Sequence, residues 1–249
     1  MRIRLPPALA ALLVLAVAAG ALEAAASFGL VSPFTVPRPS AVAMAIWRLV
    51  ESEALLAALI STLLTTLAAV GIAVLIGLPA GYWLYRHPSF GVAYRTWLAA
   101  LFAAPTILLY PLALVFFGRS YLTIIVMGVL TGVVPIILGT RDGLATVPRP
   151  LVAVGRAFHV SRAQEFWKIL LPAGALMIFS GIRLGTIYTL LNVIGIEFLV
   201  NFGGLGFLVS NLNDRFDYPG MYAAILFVIL ICVCMLAALN LVERRLRPA

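Results

Sequence analysis

Lysine is almost missing from this chain of 249 residues: Lys168 is the only one, and Ile169 follows it. No phosphate-binding loop of the Gly-Lys-Ser/Thr kind exists, so the chain is not its own ATPase. Cysteine and histidine are equally sparse. Cys232 and Cys234 stand two apart in one apolar run, where a helix points them in different directions, and His87 and His159 are distant in sequence. That pattern excludes a bridge within the helix and a zinc-binding spacing, and it leaves the cysteines as buried apolar residues. An H-E-x-x-H pair, a G-x-S-x-G elbow and a carboxylate cluster beside a histidine are all absent, so an intramembrane enzyme lacks its machinery. Charge is scarce too. Only 10% of residues are charged against 63% hydrophobic, with a mean hydropathy of +1.12, values that exclude an ordinary soluble domain.

What fills the chain is membrane-grade sequence. A crossing needs about 20 apolar residues, and the runs predict an all-α polytopic protein with about six transmembrane helices in one domain, residues 1–249. The first, Pro6 to Ala26, follows Arg2 and Arg4 and ends in small residues, as a signal peptide does. Its length and the start at Met1 lead to the expectation of a retained span, with Glu23 at its outer end. Pro33, Pro37 and Pro39 then limit helix before Ser40, read as the N-cap of a helix over Ala41 to Val50. Further spans are expected at Ala54 to Tyr85, Trp97 to Phe117, Tyr121 to Thr140, Ile169 to Val200 and Pro219 to Val242. Asn201 to Gly206 breaks the chain, and Phe207 to Tyr218 reads as an external loop or short helix. Gly77 and Gly81, Gly128 and Gly132, and Gly181 and Gly185 are pairs four apart, a spacing that lets helices approach closely.

The net charge of +8 is a matter of topology before it is a matter of partners such as nucleic acid. With six spans and both termini inside, Arg2, Arg4, Arg86, Arg95, Arg141, Arg149, Arg156, Arg162, Lys168, Arg244, Arg245 and Arg247 fall on the cytosolic side. Arg38, Arg48, Arg119 and Arg215 fall outside, an imbalance that follows the positive-inside rule.

Residues 149–168 form the longest stretch of mixed polarity and are expected to be a cytosolic docking segment. Arg149, Arg156, Arg162 and Lys168 alternate there with Val152, Val154, Phe158, Phe166 and Trp167. The stretch resembles the coupling signature of permease subunits of ATP-binding-cassette importers: E-A-A, three residues, Gly, nine residues, Ile, one residue, Leu-Pro. Gly155, Arg156, Ala157, Phe158, His159, Val160 and Ser161 are followed at the right distance by Ile169-Leu170-Leu171-Pro172. Ala153 stands where the family usually has Glu, and His159 where it usually has Gly. Val36 to Ser40 with Trp47, and Gly204-Leu205-Gly206, also resemble the sulfonate, taurine and nitrate branch.

The resemblance implies a bacterial inner-membrane permease that works as a homodimer with two cytosolic ATP-binding subunits and an external substrate-binding protein. ATP and Mg would be used by the partner ATPase, and this chain would bind no cofactor. Its branch carries sulfonates, taurine, nitrate and vitamin precursors, of which a sulfonate or related anion is the preferred solute. Pro105 and Pro111 interrupt the third run, which places a translocation pathway near Thr106 and Tyr110, although a kink used only for packing fits the same residues. Arg183, Asn192 and Glu197 add polar groups to the fifth span. Charges at that depth are costly and face a cavity or a partner, and the resemblance favours a structural role for Arg183 and Glu197 over solute binding. His159 as a pH switch is set against a side chain packed at the partner interface. The rival reading is a secondary transporter working without an ATPase, for which internal repeats would be expected and none is evident.

Overall fold

The computed structural model describes residues 7–30, 32 and 35–246. Pro6, Arg2, Arg4, Pro33 and Arg247 lie outside them, so the predicted start of the first span, the N-terminal charges and the last arginine are not among the described residues.

Every described element is helical, in the order α1 (Pro7–Ser27), α2 (Pro39–Val50), α3 (Glu53–Arg86), α4 (Pro88–Ala103), a 3₁₀ turn (Thr106–Leu109), α5 (Tyr110–Phe117) and α6 (Tyr121–Ala145). Then follow α7 (Arg149–Ala157), α8 (Arg162–Glu165), a π turn (Phe166–Leu170), α9 (Leu171–Val200), α10 (Gly204–Asp214) and α11 (Tyr218–Leu246). Among the described residues four helical stretches are long and apolar enough to cross a membrane, namely α3, α6, the stretch containing α9, and α11. The pair of α4 and the Thr106–Phe117 segment makes a fifth if it is one span, bent by 78°. By length and composition the described helices thus account for four or five of the six spans expected. Within α1 the stretch Ala16–Ser27 counts among the shorter apolar helices.

The third predicted span differs most. Helix begins at Pro88 rather than Trp97, and the chain breaks at Ala104-Pro105 instead of merely kinking. Pro105 has no N–H to continue α4 and forces its predecessor out of the helical region; Ala104 takes ψ 137°. Pro111 sits in the first turn of α5, where a missing N–H costs nothing. By contrast Pro79 and Pro135 lie inside α3 and α6 without ending them. Ser40 is not an N-cap: α2 starts at Pro39. The amide and hydroxyl of Ser40 instead donate to the Glu23 carboxylate at 3.0 and 2.8 Å, so α1 caps α2.

Helix α6 is the centre of the bundle, packed between α3 and α9 by glycine. Gly139 and Gly181 face each other so closely that a Cβ on Gly139 would stand 2.5 Å from the Gly181 Cα. Gly132 meets the Gly185 carbonyl and Gly143 meets Gly174, which fixes α6 and α9 antiparallel. On its other side Gly77 lies on Ile136 and Gly81 on Thr140, which makes α3 and α6 parallel. All three predicted glycine pairs thus mark helix contacts. Apolar burial gives no net drive between helices in lipid, so such close contact and its dispersion energy hold the bundle. Threonines on these faces return their hydroxyls to the preceding turn, as Thr65 does to Ser61 and Thr186 to Ile182.

Candidate functional site: coupling segment and broken-helix pocket

The mixed-polarity stretch folds as two short helices at the basic end of the bundle. In α7, Val152 and Gly155 are buried against a cluster of Leu144, Val147, Leu170 and Ile178, with Tyr82, Tyr85 and Phe166 beside it. A Cβ at Gly155 would collide with the Ile169 Cδ1, so the glycine sets how closely α7 lies on the π turn. After Ala157 the chain reverses through His159, which has φ +52°, with its amide donating to the Arg156 carbonyl at 2.9 Å. That is the left-handed region a helix ending favours and glycine occupies without strain, which gives a physical reason for glycine at this place in the signature. Ser161 then opens α8 with a capping box: the Gln164 amide donates to Ser161 Oγ at 3.3 Å and the Ser161 amide to Gln164 Oε1 at 2.9 Å.

The outer face carries the apolar residues. Leu151, Val154 and Phe158 repeat at helical spacing and stand free, Phe158 with 80% of its surface exposed. Arg156, Ala157 and His159 are exposed as well, Val160 half-buried and Ser161 exposed. Glu165 is buried behind this face, 3.7 Å from Arg86 Nη1 and 4.0 Å from Arg156 Nη2, and so joins the segment to the end of α3.

A second site lies at the break in the third span. Thr106, Thr131, Tyr188 and Asn192, with Phe102 and Leu191, line a cavity of about 290 Å³ between the 3₁₀ turn, α6 and α9. The Thr106 and Thr131 hydroxyls are 3.0 Å apart, and Asn192 Nδ2 donates to Thr106 Oγ1 at 3.5 Å. Asn192 Oδ1 is buried with no hydrogen-bond partner among the described residues. Thr106 and Asn192, read from the sequence as pathway residues, therefore meet. Tyr110 does not join them; it packs with Ala113, Ile124, Met127, Val193 and Ile196. Thr131 and Tyr188 were not singled out from the sequence. Tyr188 lies one turn before Asn192 on the same face, a signal that was readable.

Arg183 and Glu197 lie elsewhere. Arg183 Nη1 donates to Glu243 Oε2 at 2.8 Å, tying α9 to α11. Glu197 is fully buried: Thr62 Oγ1 donates to its carboxylate at 2.8 Å and the Gly206 amide at 3.1 Å, while the Leu205 amide donates to Thr62 Oγ1 at 2.8 Å. A carboxylate thus sits on the unsatisfied amides of the α10 N-terminus, where helix geometry favours negative charge. Asn201, Gly203 and Gly204 all have positive φ and turn the chain back to make this contact, and a Cβ at Gly204 would fall on the Glu197 carboxyl group. Among the described residues no group of three or more His, Cys, Asp or Glu could hold a metal.

The family described as binding-protein-dependent transport system inner membrane component matches residues 73–248, which include both sites. The chain belongs to this family. Among curated relatives it is 23% identical to the taurine transport system permease protein of Escherichia coli (strain K12), over 90% of this chain and 83% of that protein. It is 26% identical to the nitrate import permease protein of Leptolyngbya laminosa, over 75% of this chain and 64% of that one. A probable ABC transporter permease protein of Haemophilus influenzae is 29% identical over 53% of this chain and 54% of its own length. The chain thus spans about half to two thirds of the length of the Haemophilus and Leptolyngbya relatives and 83% of the Escherichia coli one. Among solved structures, the MetNI methionine ABC transporter in an inward-facing conformation superposes with a TM-score of 0.65 at 19% identity, covering 76% of this chain and 94% of that one. That likeness establishes the fold of a multi-pass permease.

Proposed function

We propose that this chain is the membrane-spanning subunit of an ATP-driven importer and that residues 149–168 dock onto a separate cytosolic ATPase. The observation that carries the reading is the coupling segment itself: a capped, buried-backed element that presents Leu151, Val154 and Phe158 outward. Family membership adds its weight. A homodimer with two ATP-binding subunits and an external binding protein is the assembly such a permease serves. The basic end, with Arg86, Arg141, Arg149, Arg156 and Arg162, faces the cytosol by the positive-inside rule. Counting α1 and the bent α4–α5 pair as crossings gives six spans with both termini inside.

The solute passes the broken helix, where Thr106, Thr131 and Asn192 offer hydrogen bonds; Arg183 and Glu197 brace the bundle around it. A sulfonate or related organic anion is the first reading, supported by the taurine and nitrate relatives. A neutral heterocycle is the second. It is favoured by the uncharged lining and by the edge-on Phe102–Tyr188 ring pair, and relatives named for riboflavin and formylaminopyrimidine transport stand beside it.

The test is ATP hydrolysis in liposomes by the chain co-expressed with its neighbouring ATPase, wild type against Phe158→Asp. Loss of assembly or of stimulated hydrolysis in the variant is expected. Unchanged hydrolysis would remove Phe158 from the docking face, and failure of the ATPase to associate together with ATP-independent uptake by the isolated chain would instead favour a secondary transporter.

A further inference from the structure

A cavity of about 650 Å³ opens at the basic end, between the end of α3, the start of α4, the end of α6 and α7. Arg141, Arg149 and Arg156 line it with Tyr85, Val152 and Ala153. The guanidinium groups come from two helices, and the neighbouring carboxylates do not balance them. Asp142 is shared by Arg141 and Arg95, at 2.5 and 3.6 Å. Glu165 is shared by Arg86 and Arg156 at 3.7 and 4.0 Å, too long for hydrogen bonds. Arg141, Arg149 and Arg156 thus line the concavity with no carboxylate in its wall, while Asp142 and Glu165, outside it, are each shared with a further arginine, Arg95 and Arg86. Ala153 contributes only a methyl group to the wall, at the place where the coupling signature carries Glu, so the chain supplies no anion of its own from that position.

We propose that this cavity binds a phosphate group. Guanidinium forks match phosphate oxygens two at a time, and a Tyr hydroxyl adds a neutral donor. The depth fits an interfacial ligand. Tyr94 and Trp97 on the adjoining α4 are exposed, as aromatic residues are at the headgroup level of a bilayer, and basic pockets between cytosolic helix ends bind anionic headgroups. A phosphodiester headgroup and a soluble phosphate share this chemistry. Because α7 forms one wall, occupancy would fix the coupling segment against the ends of α3 and α6, whether or not an ATPase is bound.

The experiment uses the full chain alone, so it stands apart from the ATPase assay above. Thermal midpoints are compared in phosphatidylcholine nanodiscs, in the same discs with inorganic pyrophosphate, and in discs containing phosphatidylglycerol. A rise of about 2–4 °C or more is expected in at least one anionic arm. The arm that responds identifies the source: phosphatidylglycerol for a lipid headgroup, pyrophosphate for a soluble ligand. The rise should vanish in Arg141→Gln/Arg149→Gln and in Ala153→Glu, which places a carboxylate in the cavity, and persist in Ala153→Gln and in Arg244→Gln/Arg245→Gln. If the arginine variant does not fold, Ala153→Glu against Ala153→Gln decides alone. No response in either arm, a response indifferent to Ala153→Glu, or one equally lost in the Arg244/Arg245 variant would overturn the proposal.

Discussion

His159 and Thr62 show how much single residues hold in this molecule. His159 occupies a left-handed position, which costs an ordinary residue about 1–2 kcal/mol. His159→Gly should therefore preserve ATPase assembly and raise the thermal midpoint, and His159→Val should lower it, because a β-branched residue fits that region worst. The same pair separates packing from titration. If the imidazole is a pH sensor, hydrolysis between about pH 5 and 8 changes shape in His159→Gly; a packing role leaves the profile unchanged, the outcome expected here. Thr62 both donates to Glu197 and accepts from the Leu205 amide. Thr62→Val strips a partner from each at a cost of about 1–3 kcal/mol per group left unpaired. Thr62→Ser should keep most of the stability, as unfolding in detergent would show. The sequence displayed Glu197 as a charge in an apolar run but not its use. Its partners are 135 residues upstream and 9 downstream, and only the positive-φ turn after α9 brings the three together.

At the level of helices, the glycine pairs were legible because spacing four apart survives in the sequence, while the identity of the facing helix does not. Gly139 was not among them, although its partner Gly181 was. Gly139→Ala should lower folded yield severely, since the added carbon meets backbone that cannot rotate away, whereas Gly71→Ala, with open space around it, should be neutral or slightly stabilising. Size-exclusion profiles of the two variants make the comparison. Gly155→Ala is intermediate, as the obstacle is the end of the Ile169 side chain, and Ile169→Val should relieve it in part. The start of α4 was missed for a physical reason. Pro88 to Thr96 mixes Tyr, Arg, Ser, Thr and Gly with apolar residues, so hydropathy falls below that of a span while the chain remains helical. The depth of the break at Pro105 depends on α6 and α9 offering Thr131 and Asn192 beneath it.

Across the whole molecule, opposite charges join distant parts of the chain. Arg183–Glu243 ties α9 to the last helix and Arg48–Asp217 ties α2 to the turn before it. Removing one member of a partly buried pair is costlier than losing a surface contact, because the remaining charge stays poorly solvated. Arg183→Leu should reduce yield in membranes, and the exchange Arg183→Glu with Glu243→Arg should recover a large part of it; Arg48→Ala, on an exposed side chain, should cost about 1 kcal/mol or less. Transport activity of the exchanged pair would show whether the charges act as a brace, in which case it returns with the yield.

Helix α8 does not end in a loop. It passes through the π turn directly into α9, so that Arg162 to Val200 forms one nearly unbroken rod. At 1.5 Å per residue the rod is about 58 Å long, and the contact of Gly181 with Gly139 lies near its middle. If the rod pivoted there, a tilt of about 10° at the Arg162 end would swing the Glu197 end by about 5 Å in the opposite sense, carrying the Asn192 wall of the broken-helix pocket part of the way. One rod pivoting on two glycines would thus gear a small cytosolic stroke to the opening of a path.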